Sequence, residues 1–268
     1  MSTRVPLPRP PRNRWTRRFL RRFPPAAPSG WTIGPPDFVG VGAQRSGSSW
    51  WFRVALDSHP SVVRVDAGLK ELHYFDRFWD GDVPADFVER YHRYFPRPAG
   101  GVTGEWTPRY MYDHWSLRLL RRAAPEARIL VILRDPIERY RSALEAWRRP
   151  LRLGRSLEAI GGAVARSTYA PQLDHVFALF NRQQVLVLQY ERCTAHTAAE
   201  IERTWRFLGL DMEVASPATP SEAAQVPRPK PDLAAGSREE LVTLLRPDVE
   251  RVVELCPEID VSLWPSFG

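Results

Sequence analysis

A short glycine-containing loop between a predicted strand and a predicted helix constrains the fold of this chain more than any other feature. Phe38–Gly42 is an apolar run typical of a buried strand, and a helix is predicted from about Ser48 to Asp57. Between them, Gly42–Ser49 reads GAQRSGSS, with the G-x-x-x-x-G spacing of a nucleotide phosphate loop. Glycines let such a loop turn its N–H groups inward, and a helix start adds a positive dipole end. The sequence therefore predicts an anion site here.

The loop lacks the lysine of an ordinary nucleoside-triphosphate site. Ser48 occupies the position directly after the second glycine, where that lysine reaches the β and γ phosphates, and the loop cation is Arg45 instead. A site without the lysine is poorly equipped for a triphosphate with Mg²⁺. A P-loop kinase or NTPase is thus disfavoured, and it stays open as an alternative.

A second anion motif follows the most apolar strand of the chain. Arg128–Leu133 reads RILVIL, apolar on both faces as a central parallel strand should be. Ligands of doubly wound sheets bind beyond the carboxyl ends of the strands, and Arg134 comes directly after this one. The segment Arg134–Ser142 then reads RDPIERYRS, which places Ser142 two helical turns further on. A guanidinium at such a strand end suits a phosphate group.

Predicted strands and helices alternate along the chain, which indicates a parallel sheet covered on both faces. The fold class is therefore α/β, a P-loop-like three-layer α/β/α architecture with a central parallel sheet. The remaining predicted strands are Val62–Val65, Gly101–Trp106 and Val185–Leu188. The remaining predicted helices are Pro84–Tyr94, Trp115–Ala124, one from Pro136, Thr197–Leu208, and Leu241–Leu255 with an interruption at Pro247.

The positive charge of the chain is concentrated in an N-terminal arm. The formal net charge is +7, from 38 basic and 31 acidic residues, and the first 36 residues contain eight arginines and no acid. Residues 37–268 therefore carry 38 − 8 = 30 basic against 31 acidic residues. We predict a flexible Arg/Pro-rich arm at 1–36 and a single domain at 37–268. A nearly neutral body argues against a broad nucleic-acid-binding surface.

The sequence contains no apolar run long enough to span a bilayer and no apolar signal-peptide core at its N-terminus. We therefore expect a cytoplasmic protein with no transmembrane segment and with two reduced thiols, Cys193 and Cys256. Weak peripheral membrane contact through the basic arm stays open. A non-catalytic protein that binds its partner through this arm is a further alternative.

Five segments, in order, resemble the PAPS-dependent sulfotransferases, most of all bacterial relatives of the Golgi heparan-sulfate and carbohydrate type (PAPS is 3′-phosphoadenosine 5′-phosphosulfate). Arg45–Trp50 (RSGSSW) resembles the 5′-phosphosulfate loop of that family, and Arg134–Ser142 resembles its 3′-phosphate motif. Lys70–Asp76 (KELHYFD) resembles the segment that supplies a catalytic glutamate. Glu105–Tyr110 (EWTPRY) resembles the turn near the acceptor site, and Arg166–Tyr169 resembles the start of a helix beside the cofactor.

The resemblance implies transfer of a sulfuryl group from PAPS by in-line displacement, with no metal. The acceptor would be a hydroxyl or amine of a carbohydrate, a lipid or a small molecule. The acceptor itself, and the choice between O- and N-sulfation, stay open; acceptor choice is expected in the loops Asp76–Pro84, Arg148–Ser156 and Pro217–Pro231. The residues that the resemblance assigns to the cofactor are Arg45, Ser46, Gly47, Ser48, Ser49, Trp50, Arg134, Ser142, Tyr169 and Arg228.

The resemblance also implies the catalytic groups. Glu71 is the candidate general base, and partial burial is expected to raise its pKa toward neutrality. His73 is the alternative base, because its ordinary pKa already suits the role. Arg45 would stabilise charge on the leaving phosphate without donating a proton, because it stands where the Golgi enzymes carry a lysine. Trp106 likewise replaces a lysine in the acceptor-site turn.

Overall fold

The computed structural model describes residue 24 and residues 26–63, 70–151, 156–213 and 229–268. The strands of these residues are β1 Thr32–Ile33, β2 Phe38–Gly42, β3 Val62–Val63, β4 Pro96–Arg97, β5 Val102–Trp106, β6 Arg128–Leu133 and β7 Val185–Gln189. The α-helices are α1 Ser48–Trp51, α2 Phe87–His92, α3 His114–Ala123, α4 Pro136–Leu151, α5 Ser156–Ser167, α6 Ala170–Leu179, α7 Tyr190–Ala195, α8 Thr197–Leu208 and α9 Ala235–Leu255. A π-helical turn, Phe52–Leu56, continues α1, and 3₁₀ turns form at Arg182–Gln184 and Val261–Leu263.

Five of the strands form one parallel sheet in the order β3-β5-β2-β6-β7. Strand β2 lies at its centre, where Val39 is in register with Glu105 of β5 on one side and Ile129 of β6 on the other. The phosphate loop therefore leaves the middle of the sheet, between β5, whose end begins the Glu105–Tyr110 segment, and β6, which leads to the Arg134–Ser142 segment. The predicted parallel α/β architecture is confirmed. The predicted strand Val62–Val65 is observed as Val62–Val63, and its last two residues lie outside the described residues.

Both faces of the sheet are buried, and β6 shows this directly. Its residues alternate between two cores: Ile129 and Val131 pack on one face, while Leu130 and Ile132 pack on the other. Such alternation is the expected consequence of a strand sandwiched between two helical layers. The first core contains residues of α3, α6 and α9, including Leu117, Leu173 and Val249, and the second contains residues of α1 and α8, including Trp51 and Trp205.

The helix after the phosphate loop is not a regular α-helix. After Trp51 it widens into a π turn, in which the N–H of Asp57 donates to the carbonyl of Phe52 at 2.9 Å. Helix α8 stabilises this turn, because the indole of Trp205 donates to the carbonyl of Ala55 and the indole of Trp51 donates to Thr204 at 3.2 Å. Local propensity did not indicate the π turn, because it depends on residues some 150 positions away in the chain.

The predicted interruption at Pro247 is wrong: α9 continues through it from Ala235 to Leu255. Proline removes one helical hydrogen bond, but buried Leu245 and Val249 pack on either side of it. The carboxylate of Asp248 also accepts hydrogen bonds from the N–H groups of Tyr169 and Ala170, at 2.7 and 2.9 Å. Tertiary packing thus offsets the local cost of the proline.

The segment Arg166–Tyr169 joins two helices and does not simply begin one. Helix α5 ends at Ser167, and Tyr169 precedes α6, whose first N–H groups are the ones capped by Asp248. A distant carboxylate therefore caps the start of α6. The sequence motif alone did not indicate this junction.

The N-terminal boundary predicted at Asp37 stays a prediction. Residues 1–23 lie outside the described residues, whereas Thr32–Ile33 pair antiparallel with Pro96–Arg97. Among the parts of the chain that the structure describes, no helix combines the length and the apolar character required to cross a membrane. Cys193 and Cys256 are both buried free thiols.

The close approach of β2 to β5 yields a prediction about stability. A Cβ atom on Gly40 would lie 2.0 Å from the ring of buried Trp106. Gly40→Ala is therefore expected to destabilise the fold by about 1–3 kcal/mol, as overpacking of a core does. The measurement is urea unfolding followed by tryptophan fluorescence. Gly161→Ala is the matched control, because no atom lies within 4 Å of its added Cβ. Equal midpoints for the two variants would contradict this account of the sheet centre.

Candidate active site

The phosphate loop is held in a tight turn between β2 and α1. Two of its residues adopt positive φ angles, 69° at Arg45 and 95° at Gly47. A Cβ atom on Gly47 would lie 2.5 Å from the ring of Tyr190, so only glycine fits there. Ser46 and Ser48 are buried in the turn, whereas Ser49 is exposed at its edge. The backbone of the loop therefore has one closely packed path.

The structure brings the Arg134–Ser142 segment to this loop. The Nε–H of Arg45 donates to the carbonyl and the hydroxyl oxygen of Ser142 on α4, at 3.2 and 3.3 Å. Arg134 directly follows β6 at the same edge of the sheet, and its buried Nε has no hydrogen-bond partner among the described residues. A buried donor left unpaired is costly, and an anion that accepts from it would remove that cost.

Tyr190 joins the two motifs and was not among the predicted site residues. The guanidinium of Arg134 lies 4.4 Å from the centroid of its ring, a cation–π contact. The same ring meets Trp50 edge-on at 5.8 Å and closes over Gly47. Tyr190 directly follows β7, so the rule that ligands bind beyond strand ends, applied to a third strand, points to this position.

Buried Arg139 is a second site residue that sequence reasoning missed. It donates to the hydroxyl of Ser167 at 2.7 Å, to the carbonyl of Ala163 at 2.5 Å and to that of Gln44 at 3.4 Å. Burial lowers its pKa to about 10, although the nearby hydroxyl of Tyr169 opposes that change. Arg139 thus ties the phosphate loop to helix α5.

The predicted cofactor residue Tyr169 is fully buried. Its hydroxyl donates to the carbonyl of Arg134 at 3.0 Å, and burial raises its pKa to about 12. Tyr169 therefore fixes the backbone at Arg134. Arg228 lies outside the described residues. Nearby Lys230 forms an ion pair with Glu138 of α4, beside the charge of Arg134.

The segment Lys70–Asp76, here the third motif, also reaches the phosphate loop. It does so through a lysine to which the sequence analysis gave no role. The ammonium of Lys70 donates to the hydroxyls of Ser48 and Ser49, at 2.9 and 3.1 Å. It also contacts the carboxylate of Glu71 at 3.1 Å. The predicted base therefore lies one residue from a cation that touches the loop.

Glu71 and His73 lie side by side, and a second carboxylate completes the group. His73 Nε2 is 3.2 Å from Glu71, and Nδ1 is 2.7 Å from Asp76. The expected rise in the pKa of Glu71 is wrong. Burial does act to raise it, but the hydrogen bond with His73 and the charge of Lys70 together lower the pKa to about 2. Glu71 is thus firmly ionised in this arrangement.

Fully buried Glu105 holds this segment in position. One carboxylate oxygen accepts from the N–H of Leu72 at 3.0 Å and from the hydroxyl of Thr107 at 2.5 Å. The other accepts from the hydroxyls of Tyr91 and Tyr110, at 3.0 and 3.1 Å. Burial raises the pKa of Glu105 in spite of these four bonds. Its role is structural, because it is fully buried and each of its oxygens already accepts two hydrogen bonds from neighbouring residues.

Trp106, which replaces the lysine of the resembling turn, is also buried. Its indole donates to the carbonyl of Gly42 at 3.1 Å, and its backbone N–H donates to the carbonyl of Lys70 at 2.8 Å. This position therefore adds no charge to the site. It links the first residue of the phosphate loop to the segment that carries Glu71.

A cavity of about 600 Å³ borders the same segment. Aromatic rings and three arginines line it, with one carboxylate paired to an arginine at 2.7 Å. Its volume is typical of a small-molecule pocket, and its excess positive charge would attract an anionic group. It adjoins the first loop expected to govern acceptor choice; the other two loops lie partly outside the described residues. The residues that line it are Pro24, Tyr74, Arg77, Phe78, Pro84, Asp86, Arg90, Arg93 and Tyr94.

The Glu105 network gives a second prediction about stability. Glu105→Leu leaves four buried donors unpaired and is expected to cost at least about 3 kcal/mol of unfolding free energy. Glu105→Gln should cost much less, because the hydroxyl protons of Tyr91 and Tyr110 can turn so that their oxygens accept from the amide. Urea unfolding of both variants measures the difference. Similar losses for the two would show that the shape of residue 105 matters and its hydrogen bonds do not.

The chain is similar to known sulfotransferases. A family model described as "Sulfotransferase domain" matches residues 35–225. The chain is 27% identical to human heparan sulfate glucosamine 3-O-sulfotransferase 6 over 191 residues, 65% of this chain and 52% of the relative. Its identity to the mouse protein of that name is 27% over 222 residues, 77% of this chain and 61% of the relative. The chain therefore spans only about half to three fifths of the length of these relatives.

Two solved bacterial structures share the fold. A sulfotransferase from Alicyclobacillus acidocaldarius superposes with a TM-score of 0.65 at 23% identity, covering 87% of this chain and 99% of that one. A sulfotransferase from Mycobacterium avium gives 0.55 at 15% identity, over 83% of this chain and 77% of that one. With the family model matching most of its length, the chain belongs to the sulfotransferase family.

Proposed function

We propose that this protein transfers a sulfuryl group from PAPS to a hydroxyl or amine of an acceptor. The observation that carries the proposal is the convergence of three motifs at one edge of the sheet. Arg45 contacts Ser142 of the second motif, and Lys70 joins the loop to Glu71 of the third. Membership of the sulfotransferase family supports the same reaction and does not favour a kinase.

The residues present fit the two anionic ends of PAPS. Arg134, Ser142 and Arg45 would hold the 3′-phosphate, and the unpaired buried Nε of Arg134 supports this assignment. The loop of Ser46–Ser49 would hold the 5′-phosphosulfate against its backbone N–H groups and hydroxyls. Two separate anion sites select a nucleotide that carries phosphate at both positions, which ATP does not.

The 3′-phosphate site can be tested by ligand binding. Arg134→Ala should lower the affinity for adenosine 3′,5′-bisphosphate by about tenfold or more, because a hydrogen bond to a charged group contributes about 1.5–3 kcal/mol. The affinity for 5′-AMP, which has no 3′-phosphate, should change little. Isothermal titration calorimetry measures both affinities, with ATP–Mg²⁺ as a parallel ligand.

Arg128→Ala is the matched control, because Arg128 is exposed at the opposite end of the same strand. If Arg134→Ala lowered the affinities for adenosine 3′,5′-bisphosphate and 5′-AMP equally, the 3′-phosphate assignment would be refuted. Wild-type protein that prefers ATP–Mg²⁺ would favour the kinase alternative.

Glu71 is the better of the two candidate bases. His73 faces carboxylates at both ring nitrogens, and imidazole donates to both only when it is doubly protonated, a state that cannot accept a proton. Glu71 is ionised and 31% exposed, so its carboxylate is open to an acceptor. The low pKa of Glu71 makes it a weak base, but an acceptor oxygen becomes strongly acidic once it bonds to sulfur.

Each group in the site has a distinct proposed role in the transfer. PAPS, when bound, supplies the electrophilic sulfur and a phosphate leaving group. Glu71 takes the acceptor proton, His73 and Asp76 orient Glu71, and the phosphate loop stabilises charge at the leaving oxygen. Fixed hydrogen-bond donors of this kind need no reorganisation during the reaction.

Glu71→Gln tests the base. Turnover should fall by at least about 10²-fold, the usual contribution of positioned proton transfer, while affinity for adenosine 3′,5′-bisphosphate changes little. The measurement is release of that product from PAPS with an acceptor found by screening. Glu89→Gln is the control, since Glu89 is exposed on α2. Unchanged turnover in Glu71→Gln would move the role to His73.

We propose a carbohydrate, lipid or small molecule as the acceptor. The names of the curated relatives, which are glucosamine 3-O-sulfotransferases, support a sugar hydroxyl. The arginine-lined cavity beside Tyr74 supports an acceptor with an anionic group. A bacterial, cytoplasmic setting and weak membrane contact through the arm stay predictions.

A further inference from the structure

We infer that Lys70, rather than Arg45, is the catalytic cation that stabilises charge on the leaving phosphate oxygen during sulfuryl transfer. This inference rests on the proposed function and adds to it a residue to which the sequence motifs gave no role. Lys70 is one of only two lysines in the chain; the other is Lys230.

The position of the ammonium group is the first argument. Its Nζ lies 2.9 Å from the hydroxyl oxygen of Ser48 and 3.1 Å from that of Ser49, the two residues that follow the second glycine of the loop. The side chain is only 15% exposed. The cation therefore points into the turn that would hold the phosphosulfate, where solvent screens its charge little.

The orientation of Arg45 is the second argument. Its Nε–H donates to both the carbonyl and the hydroxyl oxygen of Ser142, at 3.2 and 3.3 Å. Ser142 belongs to the proposed 3′-phosphate motif. It lies on α4 and not on the phosphate loop. Arg45 is thus turned toward the ribose phosphate, and the role that the sequence gave it at the transferred group falls to another cation.

The third argument is how firmly Lys70 is positioned. Its carbonyl accepts from the N–H of Trp106 at 2.8 Å, and the N–H of Leu72 is bound by the buried carboxylate of Glu105 at 3.0 Å. These two bonds fix the backbone on both sides of Glu71. A cation held in place before the substrate binds is the arrangement that stabilises developing charge most effectively.

The chemistry pairs Lys70 with its neighbour Glu71, 3.1 Å away. The acceptor oxygen forms its bond to sulfur, and the bond from sulfur to the bridging oxygen breaks. The electron pair of that bond stays on the phosphate of adenosine 3′,5′-bisphosphate, where the ammonium of Lys70 donates a hydrogen bond. The acceptor proton passes to Glu71. Burial lowers the pKa of Lys70, and the charge of Glu71 opposes that change.

A series of three nucleotides separates the two cations. Lys70→Met should lower the affinity for adenosine 3′,5′-bisphosphate and for 5′-AMP by about tenfold or more. The affinity for 3′-AMP should stay unchanged. Arg45→Met should do the opposite, with losses on the two ligands that carry a 3′-phosphate. Calorimetric titration gives all the affinities, and retained 3′-AMP binding shows that Lys70→Met is folded.

Turnover supplies the second readout. Lys70→Met should lower kcat by about 10²–10³-fold, as removal of one donor to a developing anion does. Lys70→Arg, which keeps the charge, should recover part of the loss. Arg206→Met removes one positive charge from the exposed face of α8 and should change neither affinity nor rate.

Two results would overturn the assignment of Lys70 alone. One is wild-type affinity for all three nucleotides and a wild-type rate in Lys70→Met; the other is an equal loss on 3′-AMP, which would mark a purely structural residue. Wild-type protein that binds neither adenosine 3′,5′-bisphosphate nor 3′-AMP would instead overturn the proposed function, and the assignment with it.

Discussion

The buried carboxylate of Glu105 is the interaction on which the candidate site depends most. It accepts four hydrogen bonds, and one of them comes from the backbone of the segment that carries Lys70, Glu71 and His73. That segment is not part of a strand or a helix, so no regular ladder holds it in place. The carboxylate of Glu105 binds the N–H of Leu72 instead, and the N–H of Trp106, the next residue of β5, binds the carbonyl of Lys70. The cost of burying the charge is offset because every donor around it is paired.

The parallel sheet supplies the second constraint, because it brings the ends of β2, β6 and β7 to the same edge. The loop after β2, Arg134 after β6 and Tyr190 after β7 meet there, and the ring of Tyr190 contacts both of the others. The candidate site therefore lies where three strand ends converge, and the ring of Tyr190 lies between the phosphate loop and the guanidinium of Arg134. Substitutions at Tyr190 would disturb both groups at once.

The charges of the site are coupled, which changes how each carboxylate can act. Glu71 lies between Lys70 and His73, and their combined effect outweighs burial, so its pKa falls to about 2. Glu105, which binds the N–H of the residue after Glu71, is surrounded by neutral donors, and burial raises its pKa. Two carboxylates in one small region thus differ because of their immediate partners. An ionised carboxylate beside a buried cation suits a reaction in which one group gains a proton while negative charge develops on another.

The sequence by itself determined the fold class and the central strands, because apolar runs and glycine spacing are local properties. Glycine spacing and a strand-end arginine also predicted the two anion motifs, whereas only the resemblance to a known family pointed to the segment with Glu71. The π turn after Trp51, the uninterrupted helix through Pro247 and the junction at Tyr169 depended on contacts with distant residues such as Trp205 and Asp248. The same holds for the contacts of Lys70, Tyr190 and Arg139 with the phosphate loop and the residues around it. Only the tertiary structure decided which cation faces the phosphate loop, since a side chain's direction depends on the partners that folding brings within hydrogen-bond distance.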